Sequence, residues 1–66
     1  MVDEFTKGVL FSAAYIVAAH GDTVYARDLL HAAGVSPTPE MRMCAEVDLA
    51  ILREHLPEWR KVPRGV

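Results

Sequence analysis

The chain has 66 residues and a mass of 7.3 kDa, which allows one small domain and excludes a two-domain enzyme. Hydrophobic residues make up 52% of it and charged residues 24%, a globular composition rather than a disordered or fibrous one. Seven basic and nine acidic residues give a net charge of −2, so the basic footprint typical of a nucleic-acid-binding domain is missing.

The first predicted helix spans about residues 3–20. Asp3 suits its N-cap and Gly21 suits its C-terminal end. Apolar residues occupy nearly every face of its second half, and a helix of that kind has to be enclosed by other helices. Because two further short helices offer little cover, we expect a homodimer. The predicted dimer interface consists of Leu10, Phe11, Ala14, Tyr15 and Ala18.

The second predicted helix covers about residues 23–33, with Asp22 or Thr23 as its N-cap. Gly34 is predicted to end it, and Val35 to pack back on Leu30 as in a Schellman motif. The first two helices together therefore form a helical hairpin.

The third predicted helix covers about residues 39–56. Thr38 suits its N-cap and Pro39 its first position, where no N–H group is needed. Asp48 is able to act as an internal cap that restarts the helix. A break near Glu46 therefore leaves open whether this segment is one helix or two.

Pro57 ends the third helix, and residues 57–66 form a basic tail whose order is left open. The fold class predicted is all-α: one domain over residues 1–66, built as a helical hairpin plus a C-terminal helix, and homodimeric.

The longest apolar run, residues 9–19, is too short to cross a bilayer, since it rises only about 16 Å as a helix. Asp3 and Glu4 stand where a signal peptide would carry positive charge. The single cysteine, Cys44, agrees with a reducing compartment. We therefore expect the protein in the cytoplasm.

Residues 32–36 resemble the turn of a helix-turn-helix motif, in which the next helix reads the major groove of DNA. Pro37 and Pro39 crowd the start of that helix, and Arg42 is its only early basic residue. Most of the usual phosphate affinity would thus be absent. A small helix-turn-helix DNA-binding phage regulator is the alternative function, and an ordinary glycine-capped helix is the simpler explanation of the pattern.

Neither a metal site nor catalysis is expected. His20, His31, His55 and Cys44 have spacings that match no zinc pattern. Cys44 and His55 lie about 16 Å apart along one helix, too far to act together within a chain. So small a core also leaves little room for a substrate pocket. We predict no catalytic residues, no metal, no cofactor and no enzyme activity.

A protein-binding surface is the favoured reading. Tyr25, Trp59 and Arg60 are residue types enriched at interfaces, and Glu46 and Asp48 offer negative charge to a basic partner. Trp59 has an alternative role as a lid on the core, because small cores need large side chains. The two roles of Trp59 stay open, with a slight preference for the lid.

Several segments resemble a family of very small phage-encoded proteins, the quorum-sensing anti-activators. The similar segments are Phe5-Thr6-Lys7-Gly8-Val9-Leu10, Ala13-Ala14, Ile16-Val17, His20-Gly21-Asp22-Thr23, residues 29–35 and residues 46–52. Members of this family are small helical dimers made early in infection. They bind a host LuxR-type transcription regulator at its DNA-binding part, and some also bind the ATPase that drives type IV pilus assembly.

The resemblance implies a class of activity rather than a site. It leads us to expect a host-takeover protein that works in the host cell cytoplasm by protein–protein interaction. Its expected partners are a host transcription regulator, the pilus ATPase or both, with no membrane and no nucleic acid. Quorum-sensing inhibition is then the expected outcome.

Overall fold

The computed structural model describes residues 2–64, and residues 1, 65 and 66 lie outside the described part. Three α-helices and no strand occur within residues 2–64, which confirms the prediction of an all-α fold. The elements in chain order are α1 (Glu4–His20), α2 (Thr23–Ala32), a 3₁₀ helix (Pro39–Met43), α3 (Glu46–His55) and a second 3₁₀ helix in the tail (Pro57–Lys61).

The hairpin of α1 and α2 begins and turns at predicted capping residues. The Asp3 carboxylate accepts a hydrogen bond from the Thr6 N–H at 2.9 Å, which satisfies one free donor at the start of α1. Gly21 ends α1 with a φ of 66°, in the left-handed region that favours glycine. Asp22 then caps α2 through a 2.8 Å bond from the Tyr25 N–H. The capped end of α1 and the capped start of α2 are therefore joined by only two residues, Gly21 and Asp22.

The C-terminal end of α2 is the predicted Schellman motif. The Val35 N–H donates to the Leu30 carbonyl at 2.9 Å, and the Gly34 N–H donates to the His31 carbonyl at 3.1 Å. Gly34 has a φ of 73°, which a residue with a Cβ adopts only with strain. Val35 is buried, so the motif also directs the following segment back over the core.

A continuous helix over residues 39–56 is wrong, and the alternative of a break near Glu46 is confirmed. Five residues after Thr38 form only a 3₁₀ helix, Cys44 is extended, and Ala45 precedes α3. Thr38 makes no side-chain capping bond, contrary to expectation, and Asp48 lies in the first turn of α3 rather than at its cap. The extended Cys44 is buried, so the break lets this residue reach the core.

The core closes within one chain. The inner face of α1 packs against both α2 and α3, and every buried residue in the described part is apolar or is Cys44. The most deeply buried large side chains are Leu10, Leu49, Leu52, Leu56, Trp59 and Val62. Leu49 and Leu52 on α3, with Leu56 at its C-cap, form the apolar stripe that helical spacing predicts. Burial of these side chains supplies the main stabilising free energy of the domain.

Two arginines hold the tail against α3. The Arg53 guanidinium donates to the Val62 carbonyl at 2.9 Å and to the Pro63 carbonyl at 2.8 Å. In the opposite direction, Arg60 donates to the Arg53 carbonyl at 3.0 Å and to the Glu54 carbonyl at 3.5 Å. Arg60 thereby satisfies carbonyls that the last turn of a helix leaves free. We call this arrangement the arginine clasp.

The arginine clasp positions Trp59 in the core, where this residue is only 2% exposed. Trp59 therefore acts as a lid on the core, and its contact with a partner stays a prediction.

Replacing Trp59 with alanine is expected to reduce the free energy of unfolding by about 3–5 kcal/mol, since it removes a buried aromatic ring and leaves a cavity. Such a loss is a large part of the total stability of a small domain. Urea titration followed by circular dichroism measures it, with Trp59→Phe as the control that keeps most of the ring. Unchanged stability in Trp59→Ala would contradict the lid role.

Candidate functional site

The predicted partner-binding residues do not form one surface. Trp59 is buried, while Arg60 is engaged at the end of α3 by the arginine clasp. The Arg60 guanidinium is exposed but has a structural role that explains its presence. Of the three predicted anchors, only Tyr25 offers an exposed side chain with no hydrogen-bonding task.

Glu46 and Asp48, the predicted charged contacts, both lie in the first turn of α3, where acidic side chains favour a helix start. The Glu46 carboxylate accepts a hydrogen bond of 2.6 Å from the Arg53 guanidinium and so helps to orient one arginine of the arginine clasp. Asp48 is half-buried, and loss of hydration raises the pKa of its carboxyl. Local roles in the fold thus account for both residues.

Exposed apolar side chains lie on α1 and at the start of α2. Phe5, Phe11 and Tyr15 project from α1, and Val24 and Tyr25 from α2, each more than half exposed. Met43 and Val47 are the other large apolar side chains exposed within residues 2–64. Five such residues on one hairpin of so small a chain is more than the scattered exposure normal for a monomer.

A groove of about 470 Å³ runs beside α2, and we call it the α2 groove. The buried side chains of Leu30, Val35 and Trp59 form its floor, while Val24 and Pro37 form apolar walls. Its volume lies within the range of about 300–1,000 Å³ that is typical of ligand pockets, and it also has room for one or two side chains of a partner. The floor combines the C-terminal end of α2, which supplies Leu30 and Val35, with Trp59 from the tail, so no local motif predicts it.

An ion pair borders the α2 groove. Arg27 donates two hydrogen bonds to Glu58, from Nε to Oε2 at 2.7 Å and from Nη2 to Oε1 at 3.0 Å. The hydrogen bonds from Arg27 lower the pKa of the Glu58 carboxyl and those to Glu58 raise the pKa of Arg27. The pair joins α2 to the tail 3₁₀ helix across 31 residues of sequence, a pairing that the spacing of residues did not predict.

A second depression of about 400 Å³ lies between the end of α1 and the start of α2. Tyr15, Ile16, His20 and Tyr25 line it, and the Tyr15 and His20 rings meet edge to face with centroids 6.0 Å apart. Tyr25 therefore lies beside the exposed aromatic residues of α1.

Two of the five predicted dimer-interface residues are wrong. Leu10 and Ala14 are buried in the core of the single chain, so neither is available to a second copy. Phe11, Tyr15 and Ala18 are exposed on the opposite face of the same helix. The reason is the periodicity of an apolar helix, which shows that several faces are suited to burial but does not show which face the chain itself covers.

The candidate residues for metal binding and catalysis are His20, His31, His55 and Cys44. Within residues 2–64, no three His, Cys, Asp or Glu side chains gather as a metal site would need. Cys44 is buried, and loss of hydration raises the pKa of its thiol, which is the opposite of what an activated nucleophile requires. His20, His31 and His55 are exposed.

The segment after the Gly34 turn lacks the helix that a helix-turn-helix needs. Residues 33–45 separate α2 from α3 and contain only a five-residue 3₁₀ helix. The helix that finally follows, α3, begins with Glu46 and Asp48, and acidic side chains there repel phosphate.

Comparisons with protein-family models, curated proteins and solved structures found no match for this chain. No α-helix in the described part of the chain is both long and apolar enough to span a membrane.

The Arg27–Glu58 pair predicts a pH dependence of stability. Because the pKa of Glu58 is lower in the folded state, its contribution is present above the pKa of an unfolded glutamate, about 4.3, and is lost as the pH falls through the lower folded value. Wild type is therefore expected to be slightly more stable than Glu58→Gln at pH 7, with the difference disappearing once the pH is below the folded-state pKa of Glu58.

Urea titrations of both proteins at several pH values measure this difference, and Glu54→Gln is a control on a neighbouring exposed glutamate. A difference that grows as the pH falls would show that the assigned pair does not act in solution.

Proposed function

We propose that this chain is a small phage-type protein that binds and inhibits a host protein. Its proposed target is a LuxR-type transcription regulator, bound at its DNA-binding surface in the cytoplasm of the host cell, with the type IV pilus assembly ATPase as a second target. It acts as a homodimer, without a cofactor and without enzyme activity. Quorum sensing would be inhibited because the bound regulator can no longer reach its DNA.

The observation that carries this proposal is the α2 groove beside exposed apolar residues on a domain whose core is already closed. Val24 is 75% exposed and Tyr25 is 59% exposed, although neither is needed to complete the core. Exposed apolar surface costs solubility and stability unless a partner covers it. An apolar floor beneath an exposed valine also provides the pocket that an interface anchor occupies.

The charge of the chain supports a basic partner. Residues 1–56 contain eight acidic and four basic residues, and Asp28 lies at the α2 groove beside the neutralised Arg27–Glu58 pair. A DNA-binding surface carries the opposite charge, so attraction would speed the encounter, while apolar contacts in the groove would slow dissociation. An inhibitor that covers such a surface competes directly with DNA.

The test is a competition experiment with a purified LuxR-type regulator and its operator duplex. Added protein is expected to release the regulator from DNA, as followed by fluorescence anisotropy of a labelled duplex. It should not itself bind the duplex at low salt, where any protein that neutralises phosphates binds most tightly. Retention of the regulator on DNA at saturating protein would contradict the proposed target.

The two valines at the second position of a helix provide a matched pair of variants. Val24 is the second residue of α2 and lines the α2 groove. Val47 is the second residue of α3, is 73% exposed and does not line the groove. Val24→Ala is expected to weaken regulator binding about fivefold or more, as the loss of an anchor contact does. Val47→Ala should change binding less than about twofold, and an equal effect of both would place binding elsewhere.

A further inference from the structure

The outer face of α1 is the side of this helix that faces away from the core. It consists of Phe5, Gly8, Phe11, Ser12, Tyr15, Ala18 and Ala19. All seven are exposed, whereas the inner face carries the buried Leu10, Ala13, Ala14 and Val17. Lys7 is the only charged residue exposed between Phe5 and Ala19. An exposed helix face is normally charged and polar, so this one is built for contact.

No contact within the single chain explains why residue 8 is a glycine. It lies inside α1, where glycine is less favourable than alanine, and its φ is not in the left-handed region. A Cβ added to Gly8 would meet no atom within 4 Å, so internal packing does not require its absence. A glycine that costs helix stability and fills no need of the monomer indicates a close approach by another molecule.

Ser12 keeps the same face low, and its own hydroxyl is paired. Its hydroxyl donates to the Gly8 carbonyl at 2.9 Å, so the side chain lies along the helix and not outward. This bond also satisfies the hydroxyl without water, which removes the desolvation cost of covering it. Gly8, Ser12 and Ala19 thus form a shallow floor, with Phe5, Phe11 and Tyr15 beside it.

We propose that the outer face of α1 binds the same face of a second copy, with the two helices antiparallel about a two-fold axis near Phe11 and Ser12. That axis places Tyr15 of each copy over Gly8 of the other and Phe5 over Ala19. Each large ring then meets a small residue, and the helix dipoles oppose each other. This inference rests on the homodimer in the proposed function and names the face and direction by which it forms.

The area available is what a specific dimer needs. Phe5, Phe11 and Tyr15 are each more than half exposed. Six such rings from two copies contribute roughly 600 Å² of buried surface, since an aromatic side chain buries about 150–250 Å² when fully covered. The helix ridge around Gly8 brings the total to about 1,000 Å², at the small end of specific interfaces. The dimer is therefore expected to dissociate on dilution.

This association leaves the α2 groove open. No residue of α1 lines that groove, so a dimer presents two of them. Loss of dimerisation and loss of partner binding are consequently separable outcomes.

The test is a set of Gly8 variants studied by sedimentation equilibrium and by urea unfolding of dilute protein. Gly8→Ala is expected to raise the folding equilibrium constant of the monomer roughly fourfold while weakening the dimer, two effects of opposite sign. Gly8→Leu should keep native helicity but weaken the dimer by about thirtyfold or more, through overpacking at the closest approach. Ala50→Leu, which places the same side chain at an exposed site on α3, should leave the dimer unchanged.

Cross-linking tests the direction of the helices. Under oxidation, Ser12→Cys is expected to form a covalent dimer, because the two-fold axis brings residue 12 of both copies together. Ala19→Cys should not, because the two copies of residue 19 would lie about 21 Å apart. Efficient cross-linking of both variants would indicate parallel helices. Either that result or an undiminished dimer in Gly8→Leu would overturn the proposal, whether or not the α2 groove binds a regulator.

Discussion

The structure depends on the return of the tail to the core. A chain of 66 residues with one cysteine has no intrachain disulfide and buries a smaller fraction of its surface than a larger domain does, so each large buried side chain contributes much of the stability. Trp59 supplies the largest of them from beyond the last α-helix. The arginine clasp makes this possible because Arg53 binds the tail carbonyls while Arg60 completes the end of α3. Without it the part of the α2 groove floor that Trp59 forms would be missing as well.

Closing the core in this way determines which surfaces are left over. The inner face of α1 is fully used by α2 and α3, so the fold itself does not require a second copy. What remains is the outer face of α1 and the apolar rim of the α2 groove, which share no residue. Exposed apolar surface of this kind is typical of contact with other proteins, which is the use that we propose for both.

Local patterns in the sequence were enough to predict α1 and α2 with their ends, but not where α3 begins. Asp3, Asp22 and Gly34 act through neighbours only a few residues away, so capping rules predict their roles correctly. The leucine stripe of α3 was equally clear. Features that join distant segments were not predictable, because no periodicity reports on them. The Arg27–Glu58 pair is one example, and the burial of Leu10 instead of Phe11 is another. Trp59 was ambiguous for the same reason, since its environment is assembled only by the fold.

The central claim is that the domain folds as a single chain and that folding does not require the apolar outer face of α1 to be covered. The most direct test is the helical circular dichroism signal measured alongside the molecular mass over a dilution from about 100 μM to about 100 nM, since the fold of an obligate dimer depends on concentration. We expect the mass to fall towards the 7.3 kDa of one chain while the helical signal per residue stays constant. Helicity that disappears together with the dimer would contradict the claim, because it would show that α1 needs a second copy to be covered.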